Sequence, residues 1–357
     1  MMEKTRHLMN RALSEGIFPG AVLLVSMEGR LVLFDAYGVA RIHPKKPMTQ
    51  ETFFDLASLT KPLATTLGAM ILFQDGSLSL DQEIGAIIPA FRGTGKERIT
   101  IRQLLAHSSG LPDYRPYYKT LMTIPRRYRK ERLQEMLLTE RLVATPGTKR
   151  VYSDIGFMIL GWAIGVVTTI PLNIFVEKII YKALGIEDIF FLPLNPETER
   201  PVRDFAATEV CDWRKKLLEG EVHDDNAYCL RGVAGHAGLF GAAADVHKLL
   251  SELLNTCLGR PKRGLFRPET VRAFFKHQPL GGALGFDTPT QPGSSSGRYF
   301  SESTVGHLGY TGTSFWIDLK RSIIVILLTN RIHPTRKNER IKAFRPILHD
   351  AVMKELL

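Results

Sequence analysis

The sequence predicts an α+β fold: an antiparallel β-sheet flanked by helices, joined to an all-helical lobe. Three observations lead there. Paired apolar stretches that read as hairpins lie near the two ends of the chain, the region from about 81 to 231 is helical and loop-rich, and glycine content rises near 232. Residues 1–80 and 232–357 are therefore expected to form one lobe built from both termini, with 81–231 as a helical insertion. A groove between two such lobes is a natural ligand site.

The elements follow in order. Leu8, Ala12 and Leu13 recur at helical spacing and predict a short amphipathic N-terminal helix. The stretch 18–40 places two apolar runs around Glu28-Gly29, a hairpin signal. After a loop containing "HPKKPMT", an apolar helix begins near Ser58 and stops at Asp75-Gly76. Residues 99–114 read as a helix ended by Ser-Ser-Gly-Leu-Pro, and 156–185 as two apolar helices divided at Pro171. A Gly-rich loop after 232 feeds an amphipathic helix, and 278–300 is a long loop of the kind found at binding sites. Residues 313–331 form a second hairpin turning near Lys320-Arg321, and a helix from about 344 to 356 closes the chain.

Composition narrows the class. With 44% apolar and 23% charged residues, the chain of 357 residues has an ordinary globular balance. No run approaches the roughly 20 apolar residues that span a bilayer. The N-terminus lacks an apolar signal core and cleavage site, and three widely spaced cysteines without a Cys-x-x-Cys pair argue against a disulfide framework or zinc site. Both point to a cytoplasmic protein. The net charge of +11 clusters at 125–134 and 331–345, with acidic residues interspersed and no nucleic-acid module. These runs read as solvated faces, so neither nucleic acid nor membrane is expected as a partner.

Three groups of residues carry chemistry. Ser58 and Lys61 lie three apart on a helix, so their side chains share a face. A serine hydroxyl becomes a nucleophile only when a base takes its proton, and a desolvated lysine can be that base. Read alone, Ser-x-x-Lys is better taken as an ordinary helix start with a snorkelling lysine. Tyr152 and Asp154 stand at a loop-to-helix junction, where a phenol near an ammonium ionises more easily and shuttles a proton. The plainer reading makes Asp154 an N-cap and Tyr152 a packing residue. His307, Gly309 and Tyr310 stand just before a late strand, among glycines that let a ligand lie along its edge.

Taken together, Ser-x-x-Lys, Tyr-x-Asp and His-x-Gly in this order resemble the serine β-lactamase and penicillin-binding-protein superfamily, and most closely its class C β-lactamase-like branch. "FFDLASLTKPLAT", "TIRQLLAHSSGLPDY", "TPGTKRVYSDIGFMILG" and "GHLGYTGTSFWIDL" extend the resemblance over nearly the whole chain. It implies a five-stranded antiparallel sheet with a helical lobe, and a serine hydrolase working through an acyl-enzyme without a cofactor. Ser58 would be the nucleophile, and Lys61 and Tyr152 would share the acid and base work. Backbone N–H groups of Ser58 and Tyr310 would hold the oxyanion, with His307 beside the substrate.

Two departures bear on the substrate. Asp154 stands where the family usually has asparagine, and a carboxylate there keeps Lys61 charged and shifts the base role towards Tyr152. His307-Leu308 replaces the usual Lys-Thr, removing a cation that helps bind an antibiotic carboxylate. Small esters or amides are the expected substrates, with a D-amino-acid or DD-peptidase, or a weak β-lactamase, as the alternative. A catalytically idle binding protein ranks lower. Asp154, Gly309, His236 and Asn226 are candidate substrate contacts. His223, Asp224, Asp225 and Asn226 form a tempting metal cluster, but no His-Glu-x-x-His pattern supports it and no metal is expected.

Overall fold

A computed structural model describes residues 2–194, 203–290 and 293–357. Six strands form its main antiparallel sheet. Their spatial order is Lys46–Pro47, Arg30–Arg41, Gly20–Met27, Ile323–Thr329, Ser314–Asp318 and Thr304–Leu308. The first hairpin turns on Glu28 and Gly29, both at positive φ (51° and 78°), the left-handed pair that a tight two-residue turn requires. The two ends of the chain meet at the sheet centre, where Gly20–Met27 pairs with Ile323–Thr329 from Ala21↔Thr329 to Met27↔Ile323.

The central strands are buried along nearly their whole length and mostly apolar because both faces are covered. Side chains alternate between faces, so Val22, Leu24, Ile324, Ile326 and Leu328 enter one core while Leu23, Val25, Val325 and Leu327 enter another. Helices Glu3–Ser14 and Ile341–Leu356 cover the second face, adding Met9, Phe344, Leu348 and Val352. Helix Ala243–Cys257 covers the first through Val246, Leu250 and Leu253.

The middle of the chain is mainly helical and shares the larger core. Helices Asp154–Thr168 and Leu172–Phe175 are divided at Pro171, as its locked φ and missing N–H dictate. Among the described residues, three short strands also occur there. Ile189–Phe191 pairs with Leu239–Gly241, which in turn pairs with Phe54–Asp55, and Val210–Cys211 pairs with Lys216–Leu217. Pairings of two or three residues are too short to leave a periodic pattern, as is the sixth edge strand Lys46–Pro47. Among the described residues no single helix is long and apolar enough to cross a membrane. Of the 278–300 loop, Gln291 and Pro292 lie outside the described residues.

The charge runs are less solvated than their composition predicts. Arg129, Arg331 and Arg345 are only 8%, 4% and 5% exposed. Arg331 and Arg345 donate to the carbonyls of Tyr310, Gly309 and Thr313, so they fix the turn between Thr304–Leu308 and Ser314–Asp318. Their fork of donors suits several carbonyls at once.

Candidate active site

The segment carrying Ser58 is tightly specified. Asp55 accepts hydrogen bonds from the N–H groups of Ala57 and His223 (2.8 and 2.6 Å), and Ala57 takes a left-handed φ of 48°. A non-glycine residue held there is strained, and such strain persists only where surrounding bonds over-determine it. Ser58 lies in the short turn Ala57–Leu59, followed by a wide π-type turn, Lys61–Thr66, and the helix Leu67–Gln74. The N–H groups of Leu59 and Thr60 bond back to Leu56 and Ala57. Ser58 precedes the first of these bonds.

Lys61 is wholly buried, and its ammonium has three acceptors. Nζ lies 3.1 Å from Ser58 Oγ, 2.6 Å from Asp154 Oδ1 and 3.4 Å from the His236 carbonyl. Lys61 Nζ also lies 4.8 Å from the centre of the Tyr152 ring, and the Tyr152 phenol interacts electrostatically with Lys61 and Ser58. Burial by itself would lower the Lys61 pKa, but the Asp154 carboxylate and the Tyr152 oxygen outweigh it and hold the group charged. Burial raises the Tyr152 phenol, and Lys61 only partly opposes the rise. Lys61 does favour ionisation of this phenol, as expected, but desolvation of the phenolate is the larger effect and the net shift is upward. Tyr152 as a whole keeps 37% exposure.

Ser153, not Asp154, caps the helix Asp154–Thr168, accepting from Gly156 N at 3.1 Å. The Asp154 carboxylate is thereby free for Lys61. His107, to which the sequence reading gives no role, braces this junction. Its Nδ1 accepts from Ser153 N at 2.9 Å and its ring lies 4.5 Å from that of Tyr152. Burial first, then the nearby cations, keeps His107 neutral.

His307 lies within the strand Thr304–Leu308 rather than before it, and its ring is 5.9 Å from Tyr152. Its Nδ1 bonds the Leu308 carbonyl at 2.9 Å, which fixes the proton on that nitrogen and leaves Nε2 as an acceptor. Burial lowers its pKa to about 4, with Lys61 and Arg150 adding to the effect. As pH falls from about 6.5 towards 4, the unfolded chain takes up a proton that the folded site refuses, so stability declines across that window. His307→Gln is expected to reduce the loss of Tm between pH 7 and pH 5. An unchanged loss would place the titration elsewhere.

The turn after His307 is pulled onto the Ser58 segment. Thr311 and Thr313 hydroxyls donate to the carbonyls of Asp55 and Leu56 (2.8 and 3.1 Å). Among the described residues, the Tyr310 N–H meets no backbone acceptor. Gly309 is needed for this closeness, since a Cβ would stand 2.0 Å from Thr313 Oγ1 and 2.8 Å from Leu56 O. Gly309→Ala is expected to cost about 1–3 kcal/mol and to lower activity by parting the two segments, measurable by thermal melts beside ester hydrolysis.

Two expected substrate contacts are corrected. Asn226 is fully buried, its amide spent on Tyr118 N (2.8 Å) and the Arg115 carbonyl (2.9 Å). His236 is 1% exposed beneath the site, with Nε2 2.9 Å from Asp224 Oδ1. Asn226 therefore positions backbone, and the His236 ring is spent on a carboxylate, instead of facing the cleft. Asp154, Asp224 and His236 bring possible ligand atoms within 4.8 Å of one another, a set that differs from the cluster read in sequence. Lys61 already supplies a cation beside Asp154.

A family model described as Beta-lactamase matches residues 5–346. An "N-acetylmuramyl-L-alanine amidase" of Bacillus subtilis is 35% identical over 93% of this chain and 81% of that protein. A "Putative D-alanyl-D-alanine carboxypeptidase" of Salmonella enteritidis is 32% identical over 91% and 81%. The structure of "EstCE1, a hydrolase with promiscuous acyltransferase activity" has the same fold, with a TM-score of 0.77 at 23% identity over 98% of each chain. The protein is a serine hydrolase. With the Ser58–Lys61–Tyr152 arrangement set in a two-faced antiparallel sheet and a helical region, and the family match spanning nearly its whole length, the chain belongs to the beta-lactamase family.

Proposed function

We propose that Ser58 is the acylated nucleophile, served by a proton-transfer set of Lys61, Tyr152 and Asp154. The observation that carries this reading is the placement of Lys61 Nζ, 3.1 Å from Ser58 Oγ and 2.6 Å from Asp154 Oδ1. At rest the lysine is an ammonium and the phenol is protonated, so the Asp154 carboxylate holds the set's open proton position. As Ser58 Oγ bonds to the substrate carbonyl carbon, its proton enters this set through Lys61 or Tyr152. The leaving alcohol or amine takes a proton back when its bond to that carbon breaks. Water then repeats the sequence on the acyl-enzyme, releasing the acid and restoring Ser58.

The backbone N–H groups of Ser58 and Tyr310 are proposed to receive the oxyanion, and such donors are typically worth about 3–4 kcal/mol. His307 lines the substrate as a neutral acceptor through Nε2. A neutral ring at that strand position supplies no cation for an antibiotic carboxylate, which supports small esters or amides over β-lactams. The named functions of the two relatives favour a second reading, a cell-wall peptide or muramyl amide as the amide substrate. Three free cysteines agree with a cytoplasmic setting.

Intact-protein mass spectrometry after exposure to p-nitrophenyl esters, D-Ala-D-Ala peptides and a muramyl-L-alanine amide tests both readings. An acyl adduct on Ser58 is expected from the first group. Faster turnover of either amide would select the second reading, and no adduct from any of them would leave an idle scaffold.

A further inference from the structure

The basic run 125–134 borders a cavity of about 930 Å³ that does not open over Ser58. It lies between the helices Arg129–Thr139 and Asp154–Thr168, with the segment Cys229–Gly235 as its third wall. The volume is in the range of small-molecule sites. Leu133, Met158, Trp162 and Val166 give it an apolar lining, while Arg126, Arg127, Lys130 and Arg231 stand at exposed positions on its border.

Arg129 is the decisive residue. It is 8% exposed, its Nε donates to the Ile124 carbonyl at 3.1 Å, and no carboxylate among the described residues forms an ion pair with it. Its Nη atoms make no hydrogen bond to a protein group among the described residues, and their fork suits two oxygens of one anion. Among the described residues Glu131 is the sole acid on the wall, set against five cations.

We propose that this cavity binds an amphiphile with a carboxylate headgroup and an apolar tail, the headgroup seated on Arg129 and the tail beside Trp162. Planar two-oxygen recognition suits a carboxylate, and the apolar lining of Leu133, Met158, Trp162 and Val166 suits an aliphatic tail better than a nucleic-acid backbone. The cavity also backs onto the active site. Gly235 lies on its wall, the Gly235 carbonyl accepts from Thr65 Oγ1 at 2.6 Å, and the next carbonyl, that of His236, accepts from Lys61.

Dodecanoate titrated into the full chain below its micelle concentration, followed by calorimetry and Trp162 fluorescence, tests the proposal. Saturable binding is expected. Arg129→Gln should weaken it at least 10-fold, as should replacing dodecanoate by dodecanol. Gly165→Phe should abolish it by filling the cavity, since a Cβ at Gly165 meets nothing closer than the Ile170 carbonyl at 3.8 Å. Unchanged circular dichroism identifies variants that fold. No saturable binding, equal binding of dodecanol, or full binding by a folded Gly165→Phe variant would overturn the site. Tighter binding of dodecyl phosphate would overturn the carboxylate assignment.

Discussion

Ser58→Ala is expected to lower kcat for ester hydrolysis by about 10⁴- to 10⁶-fold, the loss typical of removing a serine nucleophile. The protein should remain folded. Only the Ser58 hydroxyl is lost from a half-buried position, and Lys61 keeps Asp154 at 2.6 Å and the His236 carbonyl at 3.4 Å. The change in stability should therefore be about 1 kcal/mol or less. Steady-state rates, thermal melts and a mass spectrum free of acyl adduct check the three parts together. Turnover retained in the variant would remove Ser58 from the chemistry whatever its geometry.

Asp154→Asn should act on stability and rate at once. It leaves the Lys61 ammonium, 0% exposed, without its carboxylate, and breaking a buried pair in this way costs roughly 3–5 kcal/mol. The sign with pH follows from the raised Lys61 pKa. A group whose pKa rises on folding contributes its full stability below its unfolded value, near 10.4, and loses it as pH climbs through the folded value. The difference in Tm between wild type and variant should accordingly be complete at pH 7 and shrink in alkali. On the rate, Asp154 raises both Lys61 and Tyr152, so its removal lets both pKa values fall and moves the pH–rate profile to lower pH. With the open proton position gone, kcat at pH 7 should drop about 10²- to 10³-fold. A fall in rate with an unmoved profile would reduce Asp154 to a structural partner of Lys61.

Much of the fold was readable because it rests on periodicity. The hairpin at Glu28-Gly29, the break at Pro171 and the helix stop at Asp75-Gly76 each have a local backbone cause, and all three stand where the sequence places them. The burial of Arg129, Arg331 and Arg345 had no such signal. Within a basic run, nothing local separates an arginine that meets water from one that meets three carbonyls.

By itself, the sequence determined the longer elements and the α+β class, and it brought Ser58, Lys61 and Tyr152 forward as candidates, because a three-residue helical spacing and ordered motifs are properties of the chain. Only the tertiary structure decided the charges and the bracing. Residues 58, 107, 154 and 307 meet through packing over long separations, and burial there sets whether a lysine stays charged and whether a phenol gives up its proton. Desolvation depends on everything that surrounds a group, and no spacing along a chain encodes it.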